Sequence, residues 1–116
     1  MIKRIKNLLY DPVLCYPEET NFYDSVEFNV PASTTNYDVD ANVADAFTNV
    51  PVARFVELIT NCDITVRFNL NTNHGITVLA TDGKLVIEPS RERLKVTNIF
   101  ITNATAGTAT IKLRMT

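Results

Sequence analysis

The chain has 116 residues, 46% of them hydrophobic and 21% charged, with a net charge of −2. That length holds one domain with its own core and needs no metal or disulfide staple. Two cysteines, Cys15 and Cys62, are too few for a secreted disulfide framework, and no apolar run is long enough to cross a bilayer.

Met1 to Asn21 differs in texture from the rest. Ile2, Ile5, Leu8 and Leu9 fall at helical spacing among Lys3, Arg4 and Lys6, and then Pro12 and Pro17 interrupt any regular element. Residues 1–21 therefore read as a short helix or arm, either packed on their own domain or docking on a neighbour, and residues 22–116 as a β-sandwich domain. The apolar part of Met1 to Leu9 is too short for an export signal or a membrane-surface helix, so synthesis in a cytoplasm is expected.

Ser25-Val-Glu-Phe-Asn-Val30 alternates, with Val26, Phe28 and Val30 on one face, and Pro31 closes it. Thr34 to Asp40 reads as extended, with Tyr37 and Val39 on the same side. Asn42 to Phe47 fits one helical turn capped by Asn42, or a loop. Arg54 to Thr60 is apolar on both sides, as a central strand would be. Asp63 to Asn69 points Ile64, Val66 and Phe68 inward, and Asn61-Cys62 serves as the turn before it.

Asn73-His74-Gly75 is a turn, followed by a strand from Ile76 to Ala80. Asp82-Gly83 is the strongest hairpin signal, because a type I′ turn needs positive φ twice, and Lys84 to Glu88 is its predicted return strand. Pro89 to Arg93 connects to a strand over Lys95 to Asn103. Ala106-Gly107 then turns into a last strand that alternates Ala109, Ile111, Leu113 and Met115 with polar residues. About eight short strands at this spacing predict an all-β chain, an antiparallel β-sandwich of jelly-roll or immunoglobulin-like type.

Charge is spread unevenly. Residues 1–9 are basic, Asp11 to Asp63 carries ten acids against Arg54, and seven bases face three acids from Ile64 onward. Acidic and basic faces could meet between copies, or the surface could simply be solvated and mixed.

Catalytic signals are missing from this sequence. The single histidine, His74, sits in a turn without a companion cysteine or histidine, so no metal site is expected. Asp38-Val-Asp40-Ala-Asn42 begins like a calcium loop, but Val43 stands where the turn needs Gly and Asn49 where Glu belongs; with Asp45, these acids read as loop acids or caps. Ser25, Ser33 and Ser90 stand in no nucleophile motif, and the three glycines form no phosphate loop. The acidic balance argues against nucleic acid, and Arg91, Arg93 and Lys95 read as a solvated segment. Sugar stacking would have to use Tyr10, Tyr16, Phe22 or Tyr23, since Trp is absent. Cys62 reads as a small buried hydrophobe, and the sequon Asn103-Ala-Thr105 as a turn.

Tyr37-Asp38-Val39, Arg54-Phe-Val-Glu-Leu-Ile-Thr-Asn61 and Asp63-Ile-Thr-Val-Arg-Phe-Asn69 resemble strands of small structural proteins of tailed phages. So do Ile76-Thr-Val-Leu-Ala80 and Leu94-Lys-Val-Thr-Asn-Ile-Phe-Ile-Thr-Asn103 with the Gly turn and closing strand after it. The resemblance, one of strand order and texture, runs from about Thr34 to the C-terminus. It implies a non-enzymatic β-sandwich virion protein of the capsid decoration (cement) type, or a neck, tail or head-fibre component. The implied partners are the major capsid protein and further copies of the chain, often as a trimer, with no cofactor, nucleic acid or membrane. On that reading Ile2, Ile5, Leu8 and Leu9 anchor an arm and Lys3, Arg4 and Lys6 meet an acidic surface. Tyr10, Tyr16, Phe22 and Tyr23 would be interface aromatics.

Overall fold

The computed structural model describes residues 24–87 and 95–116. It contains eight strands: β1 Asp24–Val30, β2 Thr34–Asp38, β3 Val56–Thr60, β4 Ile64–Phe68, β5 Ile76–Val78, β6 Lys84–Ile87, β7 Ile99–Asn103 and β8 Ala109–Met115. One short helix, α1 Val39–Asn42, follows β2. The strands form two antiparallel four-stranded sheets, ordered β1-β8-β3-β6 and β2-β7-β4-β5.

This order decides between the two predicted sandwich types. β1 pairs with β8, β2 with β7, β3 with β6 and β4 with β5, a nested set with the β4–β5 hairpin at its tip. Rolling that long hairpin up adds the β3–β8 and β4–β7 pairings and gives an eight-stranded jelly roll. Of the strands adjacent in sequence, only β4 and β5 pair with each other.

Alternation along each strand supplies the core. Val56 and Leu58 from β3, Ile111, Leu113 and Met115 from β8, Ile64 and Val66 from β4, and Ile99 and Ile101 from β7 are all buried. Each such side chain contributes about 1.5–3 kcal/mol relative to an exposed one. Val26, Phe28 and Tyr37 lie at the open β1/β2 side, half-buried, with the Phe28 and Tyr37 rings stacked at 6.0 Å and 8° between planes.

Several predicted elements move. The hairpin assigned to Asp82-Gly83 does not form, because β5 belongs to one sheet and β6 to the other. Gly83 alone adopts positive φ there, at 68°, and the N–H groups of Asp82 and Gly83 both donate to the Leu79 carbonyl. The turn carries the chain between sheets. The helical turn lies at Val39–Asn42 rather than after Asn42, since the Asp38 carboxylate accepts the Ala41 N–H at 3.1 Å and caps it. Val39 is consequently buried from a helix and not from the strand of Tyr37.

β3 is central, between β8 and β6, but its second face is solvated and leaves Ile59 41% exposed. A sandwich sheet has only one face toward the core, so apolar residues on both sides of a strand need not both be buried. The strand expected from Lys95 is split: Val96 forms an isolated bridge with Ala53, and β7 begins at Ile99. The Pro89 to Arg93 connection and Glu88 lie outside the described residues.

Candidate functional site

The residues singled out for an interface, Ile2, Lys3, Arg4, Ile5, Lys6, Leu8, Leu9, Tyr10, Tyr16, Phe22 and Tyr23, all lie outside the described residues, as do Cys15, Ser90, Arg91 and Arg93. The described residues offer two solvent-facing sheet surfaces, the strand edges between them, and shallow grooves of roughly 250–400 Å³.

The outer face of the second sheet carries a polar cluster built on Asn36, Thr102 and Arg67. Asn36 interrupts β2 with φ of 51°, at the register shift between Thr34 and Tyr37. Its N–H donates to Thr102 Oγ1 at 3.0 Å, and its Oδ1 lies 3.4 Å from both Thr102 Oγ1 and Arg67 Nη1. Arg67 Nε also donates to the Asn73 carbonyl at 3.0 Å. Gly75 permits this crowding: a Cβ there would stand 2.5 Å from Thr65 Cγ2 and 3.3 Å from the Arg67 guanidinium carbon. Alongside runs a groove lined by Asp63, Thr65, Thr77, Thr102 and Thr105. Its side chains are mostly hydroxyls, able to donate and accept hydrogen bonds, beside the Asp63 carboxylate, which accepts the Ala80 N–H at 2.7 Å. The only signal in the sequence was the run of outward Thr residues, which is also ordinary strand chemistry.

The outer face of the first sheet is charged instead. Glu57 receives Lys84 Nζ and Arg114 Nη2, each at 3.0 Å, and Arg114 lies over the Phe55 ring at 5.7 Å. The hydrogen bond from Lys84, with the Arg114 charge adding to it, holds the Glu57 carboxyl below the usual glutamate range against the opposing effect of partial burial. Ile59 and Val86 are exposed on the same face.

The acids of the calcium-like stretch do not converge. Asp38 is engaged as the α1 cap and accepts Asn98 Nδ2 at 2.9 Å. Among the described residues no three His, Cys, Asp or Glu side chains are placed to hold a metal ion. His74 is exposed in the β4–β5 loop. Cys62 is half-buried rather than enclosed, and its Sγ lies 3.5 Å from the Thr108 carbonyl. Lys95 is exposed.

Asn103, the sequon asparagine, is fully buried. Its Nδ2 donates to the carbonyls of Val30, Pro31 and Gly107, and its Oδ1 accepts the N–H and hydroxyl of Thr105. The side chain ties the β1–β2 corner to the β7–β8 corner and has no free amide for glycan attachment. Asp24 plays a similar part at the opposite end of β1, where its carboxylate accepts the Asn49 and Val50 N–H groups at 3.3 and 3.0 Å.

Fold and surface together define a small jelly-roll β-sandwich in which Asn36, Asp24 and Asn103, among the described residues, hold a bulge and two corners. Comparison of the chain with protein-family models, with curated proteins and with solved structures finds no match.

Proposed function

We propose that this protein is a non-enzymatic structural protein of a tailed-phage particle. In this reading it is a capsid decoration protein that stabilises the head by binding across junctions of the major capsid protein, together with other copies of itself. The observation that carries the reading is the jelly-roll strand order, an architecture used repeatedly for capsid proteins. It joins the strand-by-strand likeness to phage structural proteins between Thr34 and the C-terminus. Cement chemistry asks for buried area and many copies rather than a poised side chain, because avidity multiplies weak contacts. Residues 1–9, basic and apolar, supply the anchor; Tyr10, Tyr16, Phe22 and Tyr23 add interface area. Synthesis in the host cytoplasm and residence on the virion follow from the same reading.

The test is co-sedimentation with undecorated, expanded heads, comparing the full chain with one lacking residues 1–9. Stoichiometric binding lost on truncation supports decoration through the arm. Binding that survives truncation keeps the function and moves the contact to the sandwich. Absence of binding removes the decoration role and leaves neck, tail or head-fibre placement. The hydroxyl-lined groove at Asp63, Thr65, Thr77, Thr102 and Thr105 favours a second reading, a carbohydrate- or receptor-binding module, since jelly rolls also serve as lectins. A glycan array probed with the isolated protein tests it; glycan binding abolished by Thr102→Val would select this alternative.

A further inference from the structure

The four sheet edges are not equivalent. β2 is broken by its register shift and by Asn36 at positive φ, β5 has three residues, and β6 carries Lys84. These are the devices by which natural sheets blunt an edge: short strands, bulges and outward lysines. β1 has none of them. It runs seven residues without proline or bulge, in unbroken register with β8 from Asp24↔Met115 to Val30↔Ala109.

The direction of its unpaired main-chain groups follows from β8. The Thr110 N–H donates to Asn61 Oδ1 at 2.8 Å, so it points toward β3 and away from β1. In an antiparallel ladder the opposed Asn29 must then turn its own N–H and C=O outward, and so must Glu27 and Ser25, two and four residues back. Among the described residues these groups have no main-chain partner. The same edge leaves apolar side chains short of cover: Val26, Phe28 and Tyr37 face inward but remain half-buried.

We infer that the outer edge of β1, unpaired among the described residues, is a self-association surface, pairing antiparallel with β1 of a second copy about a two-fold axis at Phe28. A second copy brings both things the edge lacks, outward main-chain groups and inward apolar side chains, at matching spacing. Outer residues must oppose outer residues, which restricts the register. A centre at Glu27 would set two Glu27 carboxylates directly opposite each other, a destabilising pairing. It would also push the second strand toward the Asp24 end, where Asp45, Thr48 and Asn49 flank the strand. A centre at Phe28 avoids both. It opposes Glu27 to Asn29 of the other copy on the outer face, Phe28 to Phe28 and Val26 to Val30 on the inner face, and joins the two first sheets into one of eight strands. This contact is two-fold, unlike the three-fold arrangement the family resemblance suggests, and it stands independently of capsid binding.

Sedimentation equilibrium of the full chain at roughly 0.1 mM, a concentration suited to a small interface, reads the assembly. Amide hydrogen exchange at two concentrations reads the edge. The expected result is a mass of twice the 13.0 kDa chain, with Glu27 and Asn29 amides at least tenfold more protected at the higher concentration. Glu27→Pro removes an outward N–H without touching the β8 ladder, and is expected to leave a monomer with an unchanged circular dichroism spectrum. Should that variant fail to fold, exchange in the unaltered protein decides alone. A monomeric full chain, or an assembly in which the Glu27 and Asn29 amides stay fast or Glu27→Pro changes nothing, overturns the inference.

Discussion

The two sheets of this jelly roll solve the same problem by different means. In the first, β1, β8 and β3 pair in continuous register, no strand residue takes a positive φ, and Glu57 on the outer face pairs with Lys84 and Arg114. In the second, β2 breaks register, Asn36 turns left-handed, and side chains take over bonds that the main chain drops. Asn69, at φ of 72° beyond β4, does likewise: its Oδ1 accepts the Thr97 N–H at 2.7 Å and its Nδ2 donates to the Lys95 carbonyl at 2.8 Å. Regular pairing lets an outward residue be exchanged freely. Irregular pairing makes particular Asn and Thr side chains part of the fold, because a covered main-chain group without a partner is costly.

The largest effect is expected at Asn103, the end of β7 in the irregular sheet. Asn103→Ala removes a fully buried side chain that donates to three carbonyls and accepts from Thr105, although the Thr105 hydroxyl and the Gly107 carbonyl stay bonded to each other, and should cost about 3 kcal/mol by urea denaturation. A cost below 1 kcal/mol would mean that water replaces the side chain there.

A matched pair of threonines sharpens the comparison at intermediate size. Thr102→Val, in the second sheet, strands the Asn36 N–H and should cost about 1 kcal/mol. Thr110→Val, in the first, removes only an exposed hydroxyl contact to Asn29 and should stay within about 0.5 kcal/mol of the parent. Equal costs would erase the distinction between the sheets.

The smallest effect is expected at the charged face. Lys84→Ala should raise the Glu57 pKa toward its ordinary value, read by NMR titration of the carboxyl, with little change in melting temperature. Because the folded pKa is depressed, the stabilisation tied to Glu57 is present above the unfolded value and is lost as pH falls through the folded one. The variant should therefore narrow the difference in stability between neutral and acidic solution. An unmoved Glu57 titration would show that Lys84 does not act on it.

The strands and their inward faces could be read from the sequence, because alternation is local. Ile64, Val66 and Phe68, or Ile111, Leu113 and Met115, declare a buried side within a few residues. Strand partnership could not be read in this way. Asp82-Gly83 carries a hairpin's chemistry, yet β6 finds β3 while β5 stays with β4. Asn103 resembled a turn residue with a sequon because its partners at Val30 and Pro31 lie more than 70 residues away. Asn36 and Thr102 likewise meet only across a strand pair.

By itself, then, the sequence determined the number of strands, which side of most of them faces the core, and an all-β sandwich. Tertiary structure alone decided the jelly-roll order and the split between a regular and an irregular sheet. The physical reason is range. Side-chain period and turn propensity act over a few residues. Strand partnership is instead fixed by which apolar faces can be buried together once distant segments meet.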